Sequence, residues 1–146
     1  MTRINVVDPA TLCDKHLIAE WREMTRVPNA LQKGISRYDK KQIPKQYVLG
    51  AGHVKFFFDK LGYLEQRYKA IIDEANKRGF NLENRWPMLT GLDHLQGQYS
   101  PTANDKLLNI TRLVSRIPTV SPALNRKPVD TNSYQSILLL GNGLGG

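Results

Sequence analysis

The residues best suited to chemistry lie at the start of the chain. A small residue follows Met1, a context in which the initiator is usually removed, so Thr2 is expected to carry a free α-amino group. Such a group has a pKa of about 7.7–8.0, against about 10.4 for lysine, and is partly neutral at physiological pH. A neutral amine can attack a sugar C1′ or an aldehyde and form a Schiff base. Thr2 is therefore a candidate nucleophile, although many proteins begin Met-Thr without chemical consequence.

A carboxylate follows in the first helical pattern. Glu23 lies three residues before Arg26 and seven after His16, so the three side chains can cluster on one helix face. Beside an amine, this carboxylate could stabilise a cationic imine or an oxocarbenium ion and shuttle protons. The simpler interpretation is a surface ion pair with Arg26, worth about 0.3–0.5 kcal/mol. His16 is equally open, as a DNA contact or as a hydrogen-bonded structural histidine.

Basic residues recur along the same predicted helix. Lys15, Arg22, Arg26 and Lys33 are spaced seven, four and seven residues apart, which places them on one face. This basic stripe could follow a phosphate backbone, or it could be an ordinary solvated helix face. The net charge of +8 on 146 residues favours a nucleic-acid partner for what is expected to be a single domain.

Composition argues against other classes of protein. The single cysteine, Cys13, permits no intramolecular disulfide, which fits a reducing cytoplasm. No apolar run approaches the roughly 20 residues of a membrane span, and the N-terminus lacks an apolar signal core. One cysteine and three scattered histidines give no zinc-ligand spacing. We therefore expect a cytoplasmic protein without a membrane span or a zinc motif.

The elements that would position these residues are helical. Apolar spacing predicts a first helix that begins at Asp8-Pro9 or Asp14, reaches Ile35 and is kinked by Pro28. A second helical pattern starts with Leu61 and ends at 77–80, and a third runs from about Thr102 to Ile117. No segment alternates as a strand should. The expected fold is all-α: one compact domain of three main helices with long irregular connections.

The C-terminal part differs in composition. Prolines and many Ser, Thr and Asn residues predict a loosely held tail over 120–146, which leaves 1–119 as the functional domain. Ile137 to Leu140 is a short apolar run that could dock on the body.

Four segments carry a resemblance to a known family. They are the opening Thr2-Arg3-Ile4-Asn5, the run from His16 to Glu23 with Arg26-Val27, the block from Leu49 to Leu61, and Lys77-Arg78-Gly79-Phe80-Asn81. In this order and spacing the chain resembles, over roughly residues 2–119, the phage pyrimidine-dimer DNA glycosylases, also called endonuclease V. The match is incomplete, since the family's tryptophan- and tyrosine-rich segment after the third helix has no counterpart here.

The resemblance implies a two-step reaction on ultraviolet-damaged DNA. The Thr2 amine would attack C1′ of the 5′ sugar of a cyclobutane dimer, break the glycosidic bond, form a Schiff base and nick the strand by β-elimination. Glu23 would stabilise the cationic intermediates, and Arg3, Arg22 and Arg26 would hold phosphates. Arg112 and Arg116 align with basic positions of the family as further DNA contacts.

The resemblance also implies a partner and an assembly state. The partner is double-stranded DNA with ultraviolet lesions or abasic sites, bound by a monomer without a cofactor, in the host cytoplasm if the protein is viral. Two alternatives remain: the same lyase chemistry on other lesions or on abasic sites only, and a basic DNA-binding protein without catalytic activity.

Overall fold

The computed structural model describes residues 3–33, 43–117 and 122–144. Thr2, the predicted end of the first helix at Ile35, and residues 118–121 lie outside the described residues. The longer helices are α1 (Asp14–Met24), α2 (Arg26–Gln32), α4 (Leu61–Lys77), α5 (Ala103–Ser115) and α6 (Thr131–Gly141), and α3 (His53–Phe56) is a single turn. The strands found in these ranges are β1 (Ala123–Leu124) and β2 (Lys127–Pro128), which form an antiparallel hairpin. The all-α fold class is confirmed.

The first predicted helix is divided in two. Helix α1 ends at Met24, Thr25 intervenes, and α2 begins at Arg26. Pro28 has no backbone N–H for the carbonyl four residues earlier, which belongs to Met24, and its ring would clash with that carbonyl. Within α2, Pro28 occupies the first turn, where no N–H is needed. The proline therefore separates two helices where the sequence predicted one kinked helix.

The second and third predicted helices have local stop and start signals. Helix α4 is followed by Gly79 at φ +93°, a conformation that glycine adopts without steric cost, and Phe80 N–H returns to the carbonyl of Ala75 at 2.9 Å. At the start of α5, Thr102 accepts from the N–H of Asp105 at 3.1 Å, and the Asp105 carboxylate accepts from the N–H of Thr102. Such reciprocal capping fixes where a helix begins.

The segment after residue 121 differs from the loose tail expected from its composition. The Asp130 carboxylate caps α6 by accepting from Ser133 N–H at 2.9 Å, and Tyr134 and Leu138, one turn apart, are fully buried. The hairpin is docked by Asp14, whose carboxylate accepts from the N–H groups of Asn125 (3.0 Å) and Arg126 (2.7 Å). Helix α6 thus completes the core beside α5.

The core surrounds an N-terminal segment, residues 4–7, which is called the N-terminal strand below although it forms no ladder with β1 or β2. Ile4, Asn5, Val6 and Val7 are all buried, and this segment forms hydrogen bonds with side chains of α1, α4 and α5. None of the described helices is long and apolar enough to cross a membrane.

Candidate active site

The N-terminal strand is fixed from one side by a histidine. His53 Nε2 accepts from the N–H of Ile4 at 3.0 Å, and His53 Nδ1 lies 2.8 Å from the carbonyl of Val48, to which it donates. Burial lowers the pKa of His53, so the ring is neutral and has one donor and one acceptor, as these contacts require. The Tyr47 hydroxyl donates to the carbonyl of Ile4 at 3.4 Å. His53 therefore has a structural role, because it fixes the backbone of Ile4.

From the other side the strand is held by two asparagines. Asn109 on α5 accepts from the N–H of Val6 at 2.8 Å and donates through Nδ2 to Asn5 Oδ1, also at 2.8 Å. The amide of Asn5 then donates to Glu20 Oε1 at 2.9 Å. The register of the strand is thus set in part by Asn109, whose side chain is more than a hundred residues away in sequence.

A buried ion pair closes this network. Arg67 on α4 contacts both oxygens of Glu20, with Nε 2.6 Å from Oε2 and Nη2 3.1 Å from Oε1. Its Nη1 donates to the carbonyl of Val7 at 2.7 Å. Burial alone would lower the pKa of Arg67, but the charge and hydrogen bonds of Glu20 outweigh it and raise the pKa. Because the pair is fully satisfied, it rigidifies the strand instead of leaving a buried charge.

Sequence reasoning missed this network. Glu20 lies between Leu17 and Met24 on the apolar stripe of α1, and Arg67 lies between Leu64 and Ile71 on that of α4. A charged residue inside an apolar stripe signals a buried pair, because lone charges are almost never fully buried. That signal could have identified both residues, but it does not show that they contact each other.

Beside the network lies a pocket of about 80 Å³. Three elements form its walls: alternate residues of the strand, one face of α1, and the C-terminal half of α5. Alternation and helical spacing explain why these positions share the pocket. The lining residues are Arg3, Asn5, His16, Ala19, Glu20, Glu23, Arg112, Leu113 and Arg116.

The pocket is electrostatically positive. Burial lowers the pKa of Arg3, the charge of Arg116 lowers it further, and Glu23 opposes the shift. Burial likewise lowers the pKa of Arg112, with added repulsion from Arg3 and Arg116. Arginines that disfavour one another's charge create a site in which a bound anion is stabilised, and guanidinium groups suit phosphate oxygens. Five predicted site residues, namely Arg3, His16, Glu23, Arg112 and Arg116, are thus brought together here.

His16 reaches the pocket from α1. Its Nδ1 lies 3.1 Å from the hydroxyl of Tyr134 on α6. Burial and the charge of Arg116 lower the pKa of His16 to about 4, so the ring is neutral at physiological pH.

The basic stripe lies outside the pocket and extends over two helices. Lys15 and Arg22 are exposed on α1, Arg26 is exposed on α2, and Lys33 is exposed just after α2. Arg26 Nη1 lies 3.5 Å from Glu23 Oε1, so the i,i+3 pair predicted from spacing is present beside the pocket. Thr2 is bonded directly to Arg3, which lines the pocket. Within the described ranges no three His, Cys, Asp or Glu residues are grouped to hold a metal ion.

Comparison with protein families gives a match over the N-terminal part of the chain. A family model described as pyrimidine dimer DNA glycosylase matches residues 1–88, more than half of the chain. The matched interval contains the N-terminal strand, α1, His53 and Arg67. Helices α5 and α6, with Asn109, Arg112, Arg116 and Tyr134, lie beyond it.

Proposed function

The chain belongs to the pyrimidine dimer DNA glycosylase family, and we propose that it acts as a DNA repair glycosylase with an associated abasic-site lyase activity through the α-amine of Thr2. The proposal rests on one observation: the N-terminal strand is held by hydrogen bonds and ends at the pocket. Residues 4–7 are fixed by His53, Asn109 and Arg67, and Arg3 lines the pocket. Thr2 directly precedes Arg3 in the chain, and consecutive Cα atoms are about 3.8 Å apart, which supports assigning the Thr2 amine to this pocket.

In the proposed reaction the amine lone pair attacks C1′ of the 5′ sugar of a dimer. The glycosidic C–N bond breaks, and the base leaves with the bonding electrons and takes up a proton. Loss of the amine proton and opening of the sugar give an imine between C1′ and Thr2. Removal of a proton from C2′ then expels the 3′ phosphate by β-elimination, and water releases the enzyme.

The pocket supplies groups suited to each step. Positive charge close to an amine favours its neutral, nucleophilic form. Glu23, whose side chain is 22% exposed, can stabilise the cationic imine and accept or return protons. Arg3, Arg112 and Arg116 suit phosphates flanking the lesion, while Lys15, Arg22, Arg26 and Lys33 suit the backbone further along the duplex.

Borohydride trapping tests the proposal. The protein is incubated with one duplex carrying a thymine dimer and one carrying an abasic site, and any reduced adduct is mapped by mass spectrometry. We expect an adduct at residue 2 with both duplexes. An adduct with the abasic duplex alone would support the lyase step. It would also indicate that the protein acts on a lesion other than the thymine dimer. No adduct with either would leave a DNA-binding protein without this chemistry.

Two variants of the N-terminus separate the amine from the side chain. Thr2→Ala retains a small second residue and a free amine, so trapping should persist. Protein that is acetylated at the N-terminus, or that retains Met1, should lose trapping while its fold and DNA affinity remain. If acetylated protein still traps, the nucleophile is a different amine.

A further inference from the structure

Tyr134 connects the C-terminal helix to the candidate site. The side chain is fully buried, and its ring centroid lies 6.1 Å from that of His16. Its hydroxyl oxygen accepts from the backbone N–H of Cys13 at 2.9 Å and lies 3.1 Å from His16 Nδ1. Tyr134 lies well beyond the residues matched by the family model, so that match does not account for this contact.

The protons in this contact can be assigned from chemistry. A neutral imidazole has one nitrogen that donates and one that accepts. The Tyr134 oxygen already accepts from Cys13 N–H, and its own proton needs an acceptor in a buried setting. The Cys13 thiol beside it is a weak acceptor, whereas an unprotonated imidazole nitrogen is a strong one. The favoured arrangement places the hydroxyl proton on the line to Nδ1 and the ring proton on Nε2.

We propose that Tyr134 is a positioning residue for the DNA site: its hydroxyl donates to His16 Nδ1 and thereby presents His16 Nε2–H in the pocket as a donor to a sugar or phosphate oxygen of bound DNA. His16 shares the pocket with Glu23 and Arg3. The partner of a histidine's second nitrogen commonly fixes the tautomer of the first. The identification of the ligand as DNA rests on the proposed function, and the assignment of the tautomer does not.

The first measurement uses the unaltered protein. Nitrogen-15 correlation spectra of the imidazole identify which ring nitrogen of His16 carries the proton. The proposal requires protonated Nε2 and unprotonated Nδ1 in the free protein. A protonated Nδ1 overturns it, whatever the variants do.

The second measurement is a double-mutant cycle on DNA affinity. Binding is measured to a duplex with a tetrahydrofuran abasic analogue, which cannot form a Schiff base. Tyr134→Phe removes the hydroxyl and retains the ring, and His16→Gln retains a donor near the Nε2 position without needing Tyr134. We expect Tyr134→Phe to raise Kd roughly two- to tenfold and to shift the His16 tautomer. In the His16→Gln background the same change should have no further effect on Kd.

Tyr68→Phe is the matched control. The Tyr68 hydroxyl also accepts a backbone N–H, that of Arg85 at 3.0 Å, and its ring is equally buried. The control should leave Kd unchanged. If Tyr134→Phe raises Kd equally with and without His16, its role is structural and the proposal fails. If the tautomer and the cycle behave as expected but borohydride traps no adduct, the Thr2 mechanism fails and the positioning role stands.

Discussion

Glu23 interacts with arginines on two sides. Its carboxylate lies 3.5 Å from Arg26, and it also interacts with the charges of Arg3 and Arg112 across the pocket. An exposed i,i+3 ion pair adds little to stability, so the pair with Arg26 gives no strong reason for a carboxylate at this position. The effect of removing its charge should therefore be seen in turnover and not in folding.

Glu23→Gln tests this expectation. The variant should retain its stability and its affinity for an abasic duplex, while strand nicking and trapping fall roughly 10²–10⁴-fold, since proton transfer and charge stabilisation are lost. Single-turnover nicking rates check it. Glu65→Gln is the control, because Glu65 forms a comparable exposed pair with Lys69 at 3.3 Å on α4. Nicking by Glu23→Gln at the unaltered rate would remove Glu23 from the mechanism.

The neutral state of His16 has a consequence for stability. In the unfolded chain its pKa is about 6.5, and in the folded protein it is about 4. Below pH 6.5 the unfolded chain binds a proton that the folded protein does not take up until about pH 4. The stabilising contribution of neutral His16 to the free energy of unfolding is therefore fully present above pH 6.5 and is lost as the pH falls toward 4.

Urea unfolding at about pH 7 and pH 4.5 measures this loss. Between these pH values the unaltered protein should lose about 1–3 kcal/mol more stability than His16→Gln. This range is set below the full effect of the pKa shift because the ring is partly exposed. Contributions from His53, whose pKa is also lowered, cancel in the comparison. Equal losses in both proteins would show that folding does not lower the pKa of His16.

At the scale of elements, the N-terminal strand depends on distant side chains. Asn109→Leu would leave the N–H of Val6 and the amide oxygen of Asn5 without these partners in a buried setting. Unpaired buried polar groups cost about 1–3 kcal/mol each, so stability should fall by about 2–5 kcal/mol. Trapping at residue 2 should slow as well, because the strand loses its register.

Denaturant unfolding and trapping rates check this prediction. Asn76→Leu is the control, since Asn76 binds the N–H of Leu82 at 2.7 Å in an exposed position where water can replace it. That variant should lose less than about 1 kcal/mol. Equal losses for the two variants would mean that the strand is not held as the contacts indicate.

The C-terminal helix, α6, gives a second prediction at the scale of elements. Leu138 is fully buried, so Leu138→Ala should cost about 2–5 kcal/mol. Leu140, two residues on, is 63% exposed, and Leu140→Ala should change stability by less than about 0.5 kcal/mol. Thermal unfolding distinguishes the two. If neither variant is destabilised, the segment is as loosely held as its composition suggested.

The elements predicted correctly from the sequence are those with local signals. The cap formed by Thr102 and Asp105 and the turn at Gly79 lie within a few residues of the helix ends that they determine. Helix α6 was missed because Tyr134 lies among polar residues and Leu138 lies in a short continuous apolar run without helical spacing. Only contact with the rest of the molecule gives these two side chains a core to enter.

The same distinction applies to the candidate site. Spacing on one helix correctly grouped Glu23 and His16, whereas Asn5 and Asn109 meet across more than a hundred residues and share no pattern that a sequence displays. At the scale of the whole molecule, each wall of the pocket therefore comes from a different element, and the pocket exists only when strand, α1 and α5 are assembled.

The net charge of +8 is a property of the whole molecule and should control DNA affinity. Each phosphate contact releases a counterion, so log K should fall linearly with log salt, by about 0.9 per contact. Lys15→Ala and Lys33→Ala should each weaken binding to all duplexes and reduce the slope by about one. Lys69→Ala, which removes an exposed cation paired with Glu65, should leave the slope unchanged. If all three variants reduce the slope equally, the duplex is not confined to the basic stripe. If only Lys69→Ala reduces it, DNA binds a face that includes α4, and the pocket is not where the lesion lies.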